Sequence, residues 1–145
     1  MAKNFINPST FSKTMTRQRI VALIIEDKKI LLVKDPRVTF FSMPGGGVEK
    51  DESYLNTLQR ELKEELGVDI IQAEPYFSFE LFNDAYKVPQ TDIVYKVIVK
   101  GAPKPSAEVT ELGWFSKDAI QSKKIEVPKE FLQQCFPKLI NDKLL

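Results

Sequence analysis

The sequence predicts an α/β fold in which a mixed β-sheet lies between helices. Three observations support this prediction: an unbroken apolar run near the start, a leucine-striped helix in the middle, and alternating strands that end in an apolar helix. Strands, helix, strands and helix follow one another, so a sheet with a helix against each face buries every apolar surface. A chain of 145 residues is long enough for one such domain.

The first strands come from two apolar runs separated by a polar turn. Residues 19–25 read RIVALII, which is rich in β-branched residues and predicts a strand covered on both faces. Residues 26–29 are polar, and residues 30–33, which read ILLV, predict a second strand. We expect the two strands to form a hairpin.

A glycine-rich loop and a helix follow this hairpin. Residues 41–49 read FSMPGGGVE, and three consecutive glycines suit a backbone that bends sharply or approaches a ligand closely. Residues 51–66 predict a helix with Asp51 as N-cap, Glu52 in the first turn and Gly67 just past its end. Its core-facing stripe consists of leucines spaced three or four apart: Leu55, Leu58, Leu62 and Leu66.

The second half of the chain is predicted to be mostly β. Apolar residues alternate in residues 74–82 and again in residues 91–100, so each segment predicts a strand. Residues 101–107 contain two prolines and predict a loop, and residues 108–115 predict a short strand. A helix is expected to open at Pro128, with a kink or an interruption at Pro137.

Composition removes several classes of chemistry. The chain has no histidine and one cysteine, Cys135, which excludes Ser-His-Asp catalysis, histidine zinc sites and intrachain disulfides. Lys and Arg total 21 against 20 Asp and Glu, so the net charge of +1 favours neither nucleic acid nor an acidic membrane surface as a partner. Catalysis is left to carboxylates, hydroxyls, Lys, Arg and hard metal ions.

The start of the chain is polar and rich in Ser, Thr and Asn. It lacks the apolar core of a signal peptide, and no run approaches the roughly 18 apolar residues of a membrane helix. We therefore expect a polar arm over residues 1–16, a single domain over residues 17–145 and, given the one cysteine, a cytoplasmic location.

Three glutamates cluster on one side of the predicted helix. Glu61, Glu64 and Glu65 lie at positions i, i+3 and i+4, on a side rotated away from the leucine stripe. Like charges at this spacing repel one another, and a divalent cation would remove the repulsion. Three glutamates on a helix are also typical of a solvated face, so the cluster alone leaves both interpretations open.

The residues around the cluster narrow the choice. Gly46 is followed by five residues, Glu52, seven residues and then the run RELKEELGV at residues 60–68. This matches every specified position of the signature G-x5-E-x7-R-E-U-x-E-E-x-G-U, in which U is aliphatic. Chance would produce such a match with a probability on the order of 10⁻⁷. The sequence therefore resembles the Nudix (MutT-like) hydrolases over residues 18–125.

The resemblance implies an α/β/α sandwich that uses Mg²⁺ or Mn²⁺ and cleaves a pyrophosphate bond in a nucleoside di- or triphosphate derivative by water attack on phosphorus. The physics agrees, because glutamates repel a polyphosphate until divalent cations bind. The alternative is a nucleotide-binding module that kept the fold and lost catalysis, although all four signature carboxylates are present. The expected partner is a small nucleotide, and monomer or homodimer stays open.

The resemblance also implies roles for residues of the signature. Glu64 and Glu65 match metal ligands, and Glu61 matches a residue that serves as ligand, as catalytic base or as both. Glu52 and Arg60 match a pair that braces the loop against the helix, with Arg60 orienting Glu61 for catalysis.

Two positions outside these extend the implied metal site. Gly45 stands where relatives often offer a backbone carbonyl to the metal. Many relatives bring a further glutamate from a later loop, and Glu108, at the start of the predicted strand, is the favoured candidate for that ligand or base, with a solvated surface glutamate as the alternative. Glu111 lies three residues on and is expected to project from the opposite face.

Substrate contacts are expected at five positions. Lys34 and Arg37 flank the glycine loop and are suited to hold phosphates, with solvated loop cations as the alternative. Gly46 permits close approach of a ligand. Phe41 and Tyr86 stand at positions noted in relatives, and for Tyr86 ordinary core packing is the alternative to stacking on a base.

Overall fold

The computed structural model describes residues 16–145. Within this part of the chain the strands are β1 (Arg17–Leu23), β2 (Ile25–Glu26), β3 (Lys29–Lys34), β4 (Gly45–Gly47), β5 (Asp69–Asn83), β6 (Val88–Lys100) and β7 (Glu111–Ser116). The predicted arm at residues 1–16 lies outside the described residues except for its last position, so it stays a prediction.

The helices of the described part are α1 (Tyr54–Leu66), α2 (Lys117–Gln121) and α3 (Phe136–Asn141), with a π-helical turn at Phe131–Cys135 leading into α3. The predicted interruption is this π-helical turn, which ends directly before α3, and Pro137 lies in the first turn of α3, where its missing N–H is tolerated. None of the helices in residues 16–145 is long and apolar enough to cross a membrane.

The strands divide between two sheets. One is mixed, with the order β4-β1-β6-β5, and the other is antiparallel, with the order β2-β3-β7. The predicted hairpin of residues 19–33 is wrong for residues 19–23. Only the short strand β2 pairs with β3, whereas β1 pairs with β6 in the other sheet. The reason is that β1 is buried from Ile20 onward, so it needs partner strands on both edges and finds them in β4 and β6.

Helices cover both faces of the sheet layer, which confirms the predicted α/β/α sandwich. Alternate residues of β1 and β3, including Ile20, Ala22 and Leu31, pack against α1 in one buried cluster. The intervening residues, such as Val21 and Leu32, pack against the C-terminal helical segment in the other. The sheet layer therefore has two apolar faces, as the unbroken apolar run of residues 19–25 predicts.

The start of α1 differs from the prediction. Ser53, not Asp51, is the N-cap, and its side chain accepts a hydrogen bond from the Asn56 N–H. Asp51 has a φ of 65° and lies in the turn before the helix, so Glu52 also precedes the first turn. Leu55 is 50% exposed and does not belong to the core stripe, whereas Gly67 ends the helix in the left-handed conformation, as expected.

Several strands begin or end at residues other than those predicted. The glycine run predicted as a loop forms the edge strand β4, while β5 and β6 extend past their predicted ends and meet in a tight turn at residues 84–87. The last strand begins at Glu111 rather than at Glu108, which lies in a turn of the preceding loop. Glu108 is thereby free of the pairing constraints of the sheet.

Candidate active site

Strand β4 forms the base of the candidate site. Gly46 pairs with Ile20 of β1, and a Cβ at Gly46 would overlap the Glu61 side chain. Gly45 has a φ of 153°, and a Cβ there would collide with the Ile20 carbonyl oxygen. Glycine at both positions therefore lets the helix carboxylate lie directly over the backbone of the edge strand.

Arg60 and Glu52 form a bidentate pair that joins the loop to α1. The Arg60 Nε and Nη2 donate to the two carboxyl oxygens of Glu52 at 2.9 and 3.0 Å. The Thr57 hydroxyl and the Glu49 N–H donate to the same carboxyl at 2.7 and 3.2 Å. The hydrogen bonds from Arg60 are the main cause that lowers the pKa of Glu52 to about 2. The structure thus brings the predicted bracing pair together.

Arg60 also contacts the glutamate cluster. Its Nη1 donates to Glu61 Oε2 at 3.0 Å and lies 3.8 Å from Glu64 Oε1. The Glu61 side chain is only 16% exposed, whereas that of Glu64 is 54% exposed. Arg60 therefore holds the Glu61 carboxylate in place without lining the cleft itself.

Glu61 and Glu65 are carboxyl groups placed in a poorly solvated wall. Burial is the main cause that raises the pKa of Glu65 to about 8, and the Glu61 charge adds to it. Burial likewise raises the pKa of Glu61, although Arg60 opposes the shift. Glu65 accepts a hydrogen bond from the Gly45 N–H at 3.2 Å, so the glycine strand fixes this carboxyl too. The charge of Glu108 raises both pKa values further, which places Glu108 near the pair.

The donor set fits a hard divalent cation by its chemistry. Glu61, Glu65 and Glu108 offer oxygen ligands, and crowded, desolvated carboxylates are the groups that a cation stabilises most. Within residues 16–145 no three of these side chains converge into a ready-made cation site.

An open cleft of about 1050 Å³ lies beside these carboxylates. Its lining includes Gly45, Gly46, Glu61, Glu65 and Glu108, all of which the sequence placed in the site. Apolar walls come from several side chains of β5 and of the C-terminal segment: Phe79, Leu81, Phe82, Val127, Phe131 and Leu132. The cleft thus combines an acidic end with a region suited to an apolar or planar group.

The structure places two of the five predicted substrate contacts in the cleft lining and three outside it. Gly46 and Arg37 line the cleft, and Arg37 forms an ion pair with Asp35 at 3.0 Å while remaining 73% exposed. Lys34, by contrast, lies at the end of β3 opposite Glu111 and is not among the residues that line the cleft.

The two predicted aromatic contacts also lie outside the cleft lining. Phe41 packs edge-to-face against Phe115, with ring centroids 5.0 Å apart, at the margin of the core. Tyr86 is 63% exposed, and its ring lies 4.6 Å from the Arg17 guanidinium carbon. Tyr86 therefore contacts Arg17, which lines the cleft, but Tyr86 itself is not part of the cleft lining.

The structure adds a buried polar chain that sequence reasoning missed. Asn83 Nδ2 donates to Gln90 Oε1 at 2.6 Å, and Gln90 Nε2 donates to Asp92 Oδ1 at 2.7 Å. Arg19 closes the chain with an ion pair to Asp92 at 3.4 Å and a hydrogen bond to the Met43 carbonyl. Polar residues alternate at 17 and 19 and again at 90 and 92, but only strand pairing shows that these residues meet.

Comparison with known proteins agrees with this geometry. The NUDIX domain family matches residues 15–135, so the chain belongs to the Nudix family. It is 28% identical over 111 residues to the uncharacterized Nudix hydrolase YvcI of Bacillus subtilis, covering 72% of this chain and 70% of that protein. It is 45% identical over 60 residues to the CTP pyrophosphohydrolase of Escherichia coli, covering 38% of this chain and 44% of that protein.

Solved structures agree as well. The MutT NUDIX hydrolase from Burkholderia pseudomallei matches with a TM-score of 0.65 and 28% identity, over 71% of this chain and 84% of that one. The chain is a Nudix pyrophosphohydrolase, a member of a family that acts on nucleoside diphosphate derivatives.

Proposed function

We propose that the protein is a divalent-cation-dependent hydrolase that cleaves a pyrophosphate bond in a nucleoside di- or triphosphate derivative. The observation that carries the proposal is the pair of desolvated carboxyls, Glu61 and Glu65, held over the glycine strand at the acidic end of the cleft. Desolvated carboxyls cost stability in the metal-free protein, and such groups facing a cleft are typical of catalytic and cation-binding sites.

The residues that would hold Mg²⁺ or Mn²⁺ are the glutamates of the cleft and the neighbouring helix, together with the backbone of β4: Glu61, Glu64, Glu65, Glu108 and Gly45. When bound, the cation supplies charge neutralisation for the phosphates and lowers the pKa of water. We propose Mg²⁺ or Mn²⁺ without fixing the number of cations, because a donor set made only of oxygen atoms accepts either ion.

The remaining roles are to accept a proton, to hold the Glu61 carboxylate in position and to contact the phosphates. Glu61 accepts the proton of the attacking water, whose oxygen bonds to phosphorus while the bridging oxygen leaves with the other phosphoryl group. Arg60 and Glu52 keep the Glu61 carboxylate over β4, and their mutual hydrogen bonds resist displacement by the anionic substrate. Arg37 and the Gly46 backbone are the proposed phosphate contacts on the cleft wall.

The test is release of phosphate or pyrophosphate from a panel of nucleotides with Mg²⁺, with Mn²⁺ and with excess chelator. The panel comprises dNTPs, oxidised dGTP, ADP-ribose, sugar nucleotides and dinucleoside polyphosphates. Turnover that chelator abolishes and Mg²⁺ restores is the expected result. Full activity in chelator contradicts cation dependence, and nucleotide binding without turnover identifies an inactive binding module.

The match to the CTP pyrophosphohydrolase of Escherichia coli is evidence for the reaction and not for the nucleobase of the substrate. It covers 38% of this chain, so it supports hydrolysis of a pyrophosphate bond without selecting cytosine. Lys34, Phe41 and Tyr86 stay predictions as substrate contacts, and their variants belong in the same panel.

A further inference from the structure

The far part of the cleft is the uncovered end of one sheet face. Strand pairing places Arg17 beside Gln90 and Arg19 beside Asp92, and Phe79 lies opposite Asp92 on the next strand. All of these residues line the cleft. Farther along the same face, the residues become apolar and are buried beneath the C-terminal helical segment. The face changes from apolar to polar where that cover ends.

Most polar groups on this open face already have partners. The buried chain of hydrogen bonds occupies Gln90 and Asp92, which are 4% and 7% exposed. Arg19 is occupied by Asp92 and by the Met43 carbonyl. Their orientations are therefore set before any ligand arrives.

Arg17 is different, because its Nη1 is buried and has no hydrogen-bond partner among the described residues. Its guanidinium packs on the Tyr86 ring at 4.6 Å, and its Nη2 lies 2.9 Å from the position a Cβ would take at Gly47. A buried guanidinium donor without an acceptor is costly, and a planar group held by ring stacking is prepared for a planar ligand. Arg17 thus lines the cleft with one buried donor, Nη1, that a bound acceptor would satisfy.

Arg17 lies on the opposite side of β4 from the catalytic carboxylates. A Cβ at Gly46 would meet Glu61, whereas a Cβ at the next residue, Gly47, would meet Arg17. Successive residues of a strand point to opposite faces, so the two contacts are on different sides. Arg17 and the glutamates nevertheless line one continuous cleft, so a nucleotide with its phosphates at the glutamates has Arg17 within the remaining part of the same cleft.

We propose that Arg17 determines base specificity by donating to two adjacent acceptors on the edge of the nucleobase. Cytosine presents O2 beside N3, and guanine presents O6 beside N7. Adenine and uracil alternate donors with acceptors along their edges and offer no such pair. This inference rests on the proposed function, and it names the substrate class of the same cleft as cytosine or guanine nucleotides.

The experiment compares kcat and KM for CTP, GTP, ATP, UTP and inorganic tripolyphosphate in the wild type, Arg17→Gln and Arg17→Lys. We expect CTP or GTP to exceed ATP and UTP at least tenfold in kcat/KM, the size of a good bidentate contact. Arg17→Gln should remove most of this preference through KM, with less than threefold change for ATP, UTP and tripolyphosphate. Arg17→Lys should not restore it, because an ammonium cannot span two acceptors.

Lys96→Gln is the matched control, since Lys96 lies on β6 and packs over the Tyr76 ring but does not line the cleft. This variant should keep the wild-type preference. An equal loss for all five substrates makes Arg17 a phosphate contact and overturns the proposal, as does an unchanged preference in Arg17→Gln. Circular dichroism checks folding, and if Arg17→Gln is unfolded, Arg17→Lys carries the comparison.

A binding measurement separates this inference from the proposed function. If the wild type hydrolyses no nucleotide, titration calorimetry with CMP, GMP, AMP and UMP still measures the base preference. Tighter binding of CMP or GMP that Arg17→Gln removes supports the assignment. Equal affinities for the four monophosphates reject it.

Discussion

Replacing Glu65 by Gln is expected to stabilise the metal-free protein at pH 8 and to leave its stability unchanged near pH 4.5. Burial and the Glu61 charge raise the pKa of Glu65 to about 8, against 4.5 for an ordinary Glu. Between these values the folded protein keeps a proton that the unfolded chain has released. The free energy of unfolding of the wild type therefore falls as the pH rises through that window, and Gln removes this loss.

The magnitude follows from the size of the pKa difference. Each pH unit is worth about 1.4 kcal/mol, which sets an upper limit of about 5 kcal/mol for a fully enclosed carboxyl. Glu65 keeps some contact with solvent, so we expect about 2–4 kcal/mol at pH 8. The Gly45 N–H can still donate to the amide oxygen of Gln, so this contact is not lost. For a chain of this size, the gain corresponds to a rise in melting temperature of roughly 5–15 °C.

The assay is urea unfolding in excess chelator between pH 4.5 and pH 8. Glu64→Gln is the matched control, since Glu64 lies on the same helix but is 54% exposed and should show little stabilisation. The reasoning would be refuted if the difference in the free energy of unfolding between wild type and Glu65→Gln stayed constant from pH 4.5 to pH 8. An equal stabilisation by Glu64→Gln would refute it too.

The same variant tests the proposed ligand role when Mg²⁺ is added. A cation that binds the folded wild type adds about 2.7 kcal/mol at a hundred times its Kd, and Glu65→Gln should gain much less. We also expect its turnover to fall by two or more decades. Wild-type activity in Glu65→Gln would contradict the assignment.

Further variants probe the core and the cleft. Leu62→Ala should lose about 2–5 kcal/mol in chemical denaturation, whereas the half-exposed Leu55→Ala should stay within about 0.5 kcal/mol. Glu108→Gln should reduce turnover well beyond Glu111→Gln with both proteins folded, and equal small losses would remove Glu108 from the site. Burial raises the pKa of the Cys135 thiol to about 12, so iodoacetamide should label it only after unfolding, and rapid labelling of the folded protein would contradict its burial.

Much of the candidate site was predictable because its residues are close in sequence. Helical spacing alone places Glu61, Glu64 and Glu65 on one side of α1, and Arg60 meets Glu52 eight residues away. The left-handed end at Gly67 follows from local backbone preference in the same way. The predicted N-cap was wrong, because Asp51 takes a positive φ in the turn before the helix and Ser53 caps α1 instead.

Long-range pairing explains what the pattern missed. Arg19 and Asp92 are 73 residues apart, and they meet because β1 pairs in parallel with β6 rather than with β3. A two-residue alternation of polar side chains in each strand does not reveal which strands are neighbours or where their helix cover ends.

The sequence by itself determined the fold class, the helix that carries the glutamates and the signature that places the chain in the Nudix family, because each can be recognised within short segments of the chain. Only the tertiary structure decided which polar groups share a sheet face and which donor on it has no partner within residues 16–145. Strand register and burial depend on contacts between distant segments, and these contacts placed Arg17, rather than any residue of the signature, at the open end of the cleft.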